Sequence, residues 1–580
     1  MRVLLLCHSF NSLSQRLFCE LRERGHEVSV EFDIADSVIE EAVALFRPEV
    51  VLASFLKRPI PASVWEKYRC LVVHPGVPGD RGPSALDWAI HRQAGEGLSE
   101  WGVTVLQAEA EMDAGPVWAR ATFPLRAARK SSLYRQEVTE AAVTAVLQAI
   151  ERISDGSFTP ERVPGTAHAL MRQADRRIDW LRDCSATVLA KLRAADGFPG
   201  VADTLFDTPC HLFDAWPEAS LRGTPGELLG RRETAICRAT VDGAVWIGHV
   251  KAAGSIKLPA TLALPQAASL PELPLAEGYW KSATPTWQDI SYEEAELQGG
   301  RVGFLSFEFY NGAMSTAHCL RLTAAFRWAS ERPTQVIVLR GGEDFWSNGI
   351  HLNTIEAADE LPPEGNSPAD ESWANINAID DLAEAILRCE SQLTIAAVGG
   401  NAGAGGCFLA RAADLVWVRE GVMLNPHYKN MGNLYGSEFW TYLLPPRVGL
   451  EGAQAIMRHR LPMTAAESVA LGFYDACLPG PGFAVDVARR AAELAAAPDL
   501  PQRLTAKRER RAADEAAKPL AAYREEELNE MRRNFYGFDP SYHVARYHFV
   551  NRSLHSWTPR HLARHRDLDF TVAPAQETRA

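Results

Sequence analysis

The chain opens on a short apolar run, Val3–Leu6, followed by a polar loop over 8–14. Residues 14–24 carry apolar side chains at helical spacing and stop at Gly25, which predicts a helix. Residues 27–32 alternate like a strand, and residues 50–53 and 70–73 are further buried-strand runs. The last of these leads into His74-Pro75-Gly76. Strands alternating with helices predict an open, mostly parallel sheet with helices on both faces. Such sheets take ligands beyond the carboxyl ends of their strands, where His74 stands. A helical stretch over 133–153 closes this unit. Residues 166–195 read as mostly helical, and a β-rich stretch runs from there to about Lys251. Between Lys257 and Pro285 five prolines sit among alanine, leucine and serine, the composition of an extended linker.

A second α/β pattern begins near Ile290. Residues 302–307 and 335–339 read as strands around a helix over 315–332, and residues 375–388 as another helix. The apolar strand 394–398 runs into a glycine-rich segment, Gly399 to Gly406. Beyond about residue 500 the chain is helical and charge-dense, then aromatic.

Composition narrows the function classes. The 580 residues hold 60 Lys and Arg against 73 Asp and Glu, a net charge of −13. That surface repels phosphate backbones and argues against nucleic acid as a partner. A small phosphorylated molecule still fits a local basic patch. No apolar run reaches the ~18 residues of a membrane span. The opening run lacks the longer core and cleavage site of a signal peptide, so a cytoplasmic protein without a membrane partner is expected. The ten cysteines form no CxxC pair, which predicts reduced thiols and no metal site.

Two short segments carry candidate chemistry in the first half. One is Val72-Val73-His74-Pro75-Gly76-Val77-Pro78-Gly79-Asp80-Arg81-Gly82-Pro83, the other Trp101-Gly102-Val103-Thr104 leading to Asp113-Ala114-Gly115. A histidine at a strand end suits proton transfer near neutral pH, and a nearby carboxylate would orient it. A plain loop histidine and a turn aspartate are the simpler reading of the same residues. Together the segments resemble the N10-formyltetrahydrofolate-dependent formyltransferases. The match places His74 on that family's catalytic histidine, Asp113 on its aspartate and Gly102-Val103-Thr104 on its Gly-Val-Thr. Asp175-Arg176-Arg177-Ile178-Asp179-Trp180 resembles the opening of the C-terminal domain of methionyl-tRNA formyltransferase. One position departs: the family's formyl-oxygen asparagine falls on Val72, which has no donor. Ser9 and Asn11, at the same sheet edge, are the candidate replacements.

The glycine-rich segment is not a Walker loop, and alone it reads as a tight turn. With Phe345-Trp346-Ser347-Asn348-Gly349-Ile350 before it and Ala465-Ala466-Glu467-Ser468 after it, it resembles the crotonase (enoyl-CoA hydratase/isomerase) superfamily. The match assigns thioester-oxygen binding to the backbone amides of Asn348 and Gly405. The hydratase acids are absent, their positions holding Phe408 and His427. Tyr428 and Glu438 are the polar candidates that remain. Both also read as structural, a packed tyrosine and a glutamate at a helix start.

A formyltransferase half joined to a crotonase half resembles the HypX/HoxX proteins of nickel–iron hydrogenase maturation. The resemblance implies transfer of formyl from N10-formyltetrahydrofolate to coenzyme A, then decarbonylation of formyl-CoA to carbon monoxide for the hydrogenase iron. It implicates Tyr428 and Glu438 in the second step and the hydrogenase maturation machinery as partner. A formyl-CoA hydrolase, halves with unrelated substrates, or a non-catalytic CoA-binding module remain alternatives. The expected architecture is α/β multidomain. A formyltransferase-like N-terminal domain spans 1–160 and a small β-rich formyltransferase C-terminal-like domain 165–255. A Pro-rich linker spans 256–289, a crotonase-like ββα superhelix 290–495 and a helical C-terminal extension 496–580.

Overall fold

The computed structural model describes residues 1–571 apart from 298, 362 and 363. Contacts divide the chain into two units. The first comprises Met1–Arg177, Ala190–Val201 and the segment from Leu554 onward; the second comprises Ile178–Leu189 and Ala202–Ser553.

The first unit is built on a six-stranded sheet in the order Glu27–Phe32, Arg2–Cys7, Val50–Phe55, Cys70–His74, Glu100–Gln107, Val117–Pro124. The first four strands are parallel and the last two antiparallel, the mostly parallel sheet that the alternating pattern predicts. Leu4, Leu6, Val51 and Ala53 are buried against Ile39, Ala42, Val43 and Phe46 of the helix Asp36–Phe46. Strands covered on both faces read as continuous apolar runs for this reason. The segment after Leu554 closes the outer edge of the sheet. Val30 N–H donates to Leu562 O at 3.0 Å and Phe32 N–H to Thr558 Oγ1 at 2.9 Å. The Glu31 carboxylate, fully buried, accepts from His565 Nε2 at 3.0 Å and Arg566 Nε at 2.7 Å. An edge that would otherwise present unpaired backbone groups is thereby covered.

Residues 166–184 differ from the helical expectation: within 166–195 only Ser185–Ala195 is an α-helix. Aspartates divert the backbone into local turns. Asp175 accepts from Arg172 N–H at 2.6 Å, Asp183 from Asp179 N–H at 2.8 Å and Asp179 from Leu181 N–H at 3.1 Å. Such side-chain acceptors compete with helical hydrogen bonding.

In the second unit, five strands between Val201 and Ala252 form an antiparallel sheet, extended by Lys257–Pro259 on Ala244–Ala252. The Pro-rich stretch is therefore not the extended linker its composition suggests. Leu258, Ala260, Leu264, Ala267 and Trp287 are buried. Arg231 N–H donates to Pro271 O at 2.9 Å, and Leu273 N–H returns a bond to Arg231 O at 2.8 Å. Prolines tolerate this pairing because the exchange uses their carbonyls and a leucine's N–H.

The rest of the unit holds a six-stranded sheet, Ile290–Leu297, Gly300–Phe307, Val336–Arg340, Leu393–Val398, Leu415–Arg419, Ala476–Leu478. A second sheet has four strands, Phe345–Ser347, Asn401–Gly403, Met423–Asn425, Met463–Thr464. The chain passes from the first sheet to the second and then into helix in successive ββα units, as at 393–398, 401–403 and 405–411. Helices Leu500–Ala517, Leu520–Tyr536 and Ser541–Val550 follow. No described helix is long and apolar enough to cross a membrane.

Candidate functional site

In each unit the residues singled out from the sequence lie in a buried cluster of titratable groups. In the first, His74 is the last residue of its strand and only 4% exposed. Its Nδ1 lies 3.5 Å from Asp113 Oδ2 and its Nε2 3.1 Å from Asp80 Oδ1. Asp80 Oδ2 in turn lies 3.6 Å from Nε2 of the more exposed His168. The loop after the strand is pinned by Trp101 Nε1 donating to Pro75 O at 2.9 Å and Thr104 Oγ1 donating to Gly76 O at 2.8 Å. Gly76 is required there, because a Cβ would sit 2.4 Å from His74 Nε2. Asp113 adopts φ 53° and is held by the Gly82 N–H at 3.0 Å.

The structure thus brings His74 and Asp113 together and adds Asp80, which the motif reading passed over. The signal was present, since Asp80 follows His74 within the same Gly/Pro loop. Val72 packs against the apolar core that holds Leu4, Leu6 and Cys70. Asn11 caps the helix Ser12–Glu23, accepting from Ser14 N–H at 3.0 Å. The strand Val50–Phe55 stands between the Ser9–Asn11 edge and the His74 strand. Among the described residues neither Ser9 nor Asn11 is hydrogen-bonded to His74 or Asp113.

In the second unit the Tyr428 hydroxyl donates to Glu438 Oε2. Tyr428 is 5% and Glu438 1% exposed. Phe408, at the vacated hydratase acid position, stacks on the Tyr428 ring with centroids 5.7 Å apart and planes 11° apart. His427, at the other position, is buried as well. Gly436 passes over the ring where a Cβ would meet Tyr428 Cε2 at 2.3 Å. Burial, reinforced by the Asp380 charge, pushes the Glu438 carboxyl up to about 8. Burial and then the Glu438 charge push the Tyr428 phenol well above its ordinary value.

Gly405 opens the helix Gly405–Arg411, and a Cβ there would lie 2.0 Å from Glu438 Oε1. Its N–H, at the first helical position, has no intrahelical acceptor. The Asn348 amide is not available in the same way, since it donates to Gly312 O at 2.7 Å. Gly349 N–H donates to Ser347 Oγ at 3.0 Å, whereas Ile350 N–H has no acceptor among the described residues. Gly349 lies against the Gly405 amide, its virtual Cβ 3.4 Å from that nitrogen. Among the described residues the Ile350 and Gly405 amides thus have no acceptor, and Gly405 lies against the Glu438 carboxyl.

Comparison with known proteins finds matches for both halves of the chain. The family model for formyl transferase matches residues 26–150 and that for the formyl transferase C-terminal domain residues 170–265. The enoyl-CoA hydratase/isomerase model matches residues 310–537. Methionyl-tRNA formyltransferase of Citrifermentans bemidjiense is 27% identical over 38% of this chain and 70% of its own length. The hydrogenase maturation factor HoxX of Bradyrhizobium diazoefficiens is 54% identical over 98% of this chain and 97% of its own. The crystal structure of HypX from Aquifex aeolicus in complex with tetrahydrofolic acid superposes with a TM-score of 0.93 at 48% identity. It covers 99% of this chain and 100% of that one. The chain belongs to the HypX/HoxX family of hydrogenase maturation factors.

Proposed function

We propose that the chain makes carbon monoxide in two steps, for the iron of a nickel–iron hydrogenase. In the first, the thiol of coenzyme A attacks the formyl carbon of N10-formyltetrahydrofolate. The S–C bond forms, the N10–C bond breaks, and the thiol proton passes through His74 to the leaving nitrogen. Asp113 and Asp80 flank the ring nitrogens and fix the ring's orientation. The tetrahydrofolic acid bound to the Aquifex relative supports a folate as donor. In the second step formyl-CoA loses its C–H and C–S bonds, so that one hydrogen moves from carbon to sulfur and carbon monoxide leaves. The amides of Ile350 and Gly405 polarise the formyl oxygen; backbone donors suit this because they are fixed before reaction. Tyr428 and Glu438 handle the proton.

The observation that carries the second step is the buried Tyr428–Glu438 pair facing Gly405, with an aromatic ring where a hydratase keeps its acid. Water addition has lost its proton-transfer groups, while a proton donor–acceptor pair stands beside the thioester cradle. The full chain supplied with formyl-labelled N10-formyltetrahydrofolate and coenzyme A is expected to release labelled carbon monoxide. Labelled formate as the sole product would make the second half a hydrolase.

A further inference from the structure

Glu438 stands in a turn whose shape is imposed from two helices. Glu438 and Phe439 both have left-handed backbones, with φ of 59° and 60°. Asp380, on the helix Pro368–Leu387, accepts from Ser437 Oγ at 2.6 and 2.7 Å and from Glu438 N–H at 2.9 Å. Glu527, on the helix Leu520–Tyr536, accepts from Phe439 N–H at 2.9 Å and Thr441 N–H at 2.8 Å. Asp380 and Glu527 are both fully buried. Side chains in such a backbone are unfavourable unless the surroundings hold them, and here two carboxylates do so.

The same arrangement decides charge. Three carboxyl groups lie together away from water, and like charges so placed do not all ionise. Asp380 takes backbone and hydroxyl donors and has Arg524 Nε at 4.0 Å. That guanidinium is shared with Asp381 at 2.6 Å and Glu384 at 3.2 Å. Both oxygens of Glu527 accept N–H donors. Glu438 receives a single donor from a neighbouring side chain, the Tyr428 hydroxyl. The other titratable groups facing it, Cys319 and Cys407, are buried thiols held neutral by desolvation. Burial pushes the Glu527 carboxyl well above its ordinary value as well, so Glu438 and Glu527 are the two poorly supported anions, and of these it is Glu438 that lies against Gly405.

Building on the decarbonylation reading above, we propose that Asp380 is a positioning residue that, with Glu527 bracing the turn, presents Glu438 to the thioester as a neutral, proton-carrying acid. Glu438 then gives its proton to sulfur as the C–S bond breaks. The carboxylate left behind takes the formyl proton as the C–H bond breaks. Carbon monoxide and the free thiol leave, and Glu438 regains its starting form. Tyr428 keeps its own proton and orients the carboxyl group through its hydroxyl. The upward push on the Glu438 carboxyl noted above has the direction this scheme needs.

The test uses the full chain with formyl-CoA as substrate and carbon monoxide as the measured product across pH 5–10. The wild-type rate is expected to fall as pH rises through about 8. Asp380→Asn removes the charge and keeps an acceptor for the Glu438 N–H. It is expected to move that fall down by about one pH unit or more. Ser437→Ala trims the clamp and leaves the charge, so the rate drops several-fold with the midpoint unmoved. Infrared spectra of the wild-type chain at pH 7 are expected to show a protonated-carboxyl band that Glu438→Gln lacks, a readout that needs no Asp380 variant to fold. A uniform loss of rate in Asp380→Asn with an unmoved midpoint, or no such band, overturns the proposal. Wild-type carbon monoxide release by Glu438→Gln would also overturn it, whereas formate in place of carbon monoxide from the wild-type chain would instead overturn the decarbonylation reading itself.

Discussion

Replacing Tyr428 by phenylalanine deletes one oxygen and almost no volume. The ring is held by Phe408 stacked at 5.7 Å and by the side-chain-free Gly436, so the phenylalanine ring keeps its place. Folding loses one hydrogen bond, a net cost of about 1 kcal/mol, and the Glu438 carboxyl loses its hydroxyl partner. Chemistry loses more. Removing the hydroxyl that orients the proton-transferring Glu438 carboxyl lowers the rate by about 100-fold or more, or roughly 3 kcal/mol of barrier. The stability and rate effects are therefore separable. Denaturation should show a nearly unchanged chain, while carbon monoxide release from formyl-CoA, followed by the absorbance of carboxyhaemoglobin, should nearly stop. With N10-formyltetrahydrofolate and coenzyme A as substrates, formyl-CoA or its hydrolysis product should accumulate. Wild-type carbon monoxide release by Tyr428→Phe would make Tyr428 a packing residue and refute the reasoning.

His74→Ala or Asp113→Asn should abolish formyl transfer while supplied formyl-CoA is still consumed, which product analysis with each substrate reads separately. Asp80→Asn should lower formyl transfer at least ~10-fold and leave formyl-CoA turnover unchanged, checked by the same assays. The Glu438 carboxyl is raised from 4.5 to about 8 by burial and the Asp380 charge. Its contribution to stability is therefore full below pH 4.5 and is lost as pH rises toward 8. Denaturation curves at pH 5 and pH 8 should show wild type weakening over that interval and Glu438→Gln weakening less. Glu31→Ala removes the acceptor of His565 and Arg566 and should destabilise the first unit by about 3 kcal/mol, with limited proteolysis cutting first after Leu554.

Much of this protein is legible along the chain because much of it is local. Period-two and period-3.6 patterns specify the strands 27–32 and 302–307 and the helix around 316–330, since each buries a face whichever neighbour covers it. His74, Asp113, Tyr428 and Glu438 could be named from motifs because a turn or strand end sets what they can do. The stretch 257–285 misled because composition reports prolines, while their carbonyls and the leucines between them find partners on the strand Leu228–Arg232. The stretch 166–184 misled because aspartate turns outweigh helical spacing there.

What only the tertiary structure decided is which groups share a space. Asp80 closes on the second nitrogen of His74 only once the loop 75–79 is pinned by Trp101 and Thr104. The Asn348 amide is lost to Gly312 by a pairing between distant loops. Asp380 and Glu527 meet the Glu438 turn from helices 58 and 88 residues away. A carboxylate on a helix carries no sequence mark of being buried against two others. Proton affinity depends on distance and on excluded water, and both are set by packing.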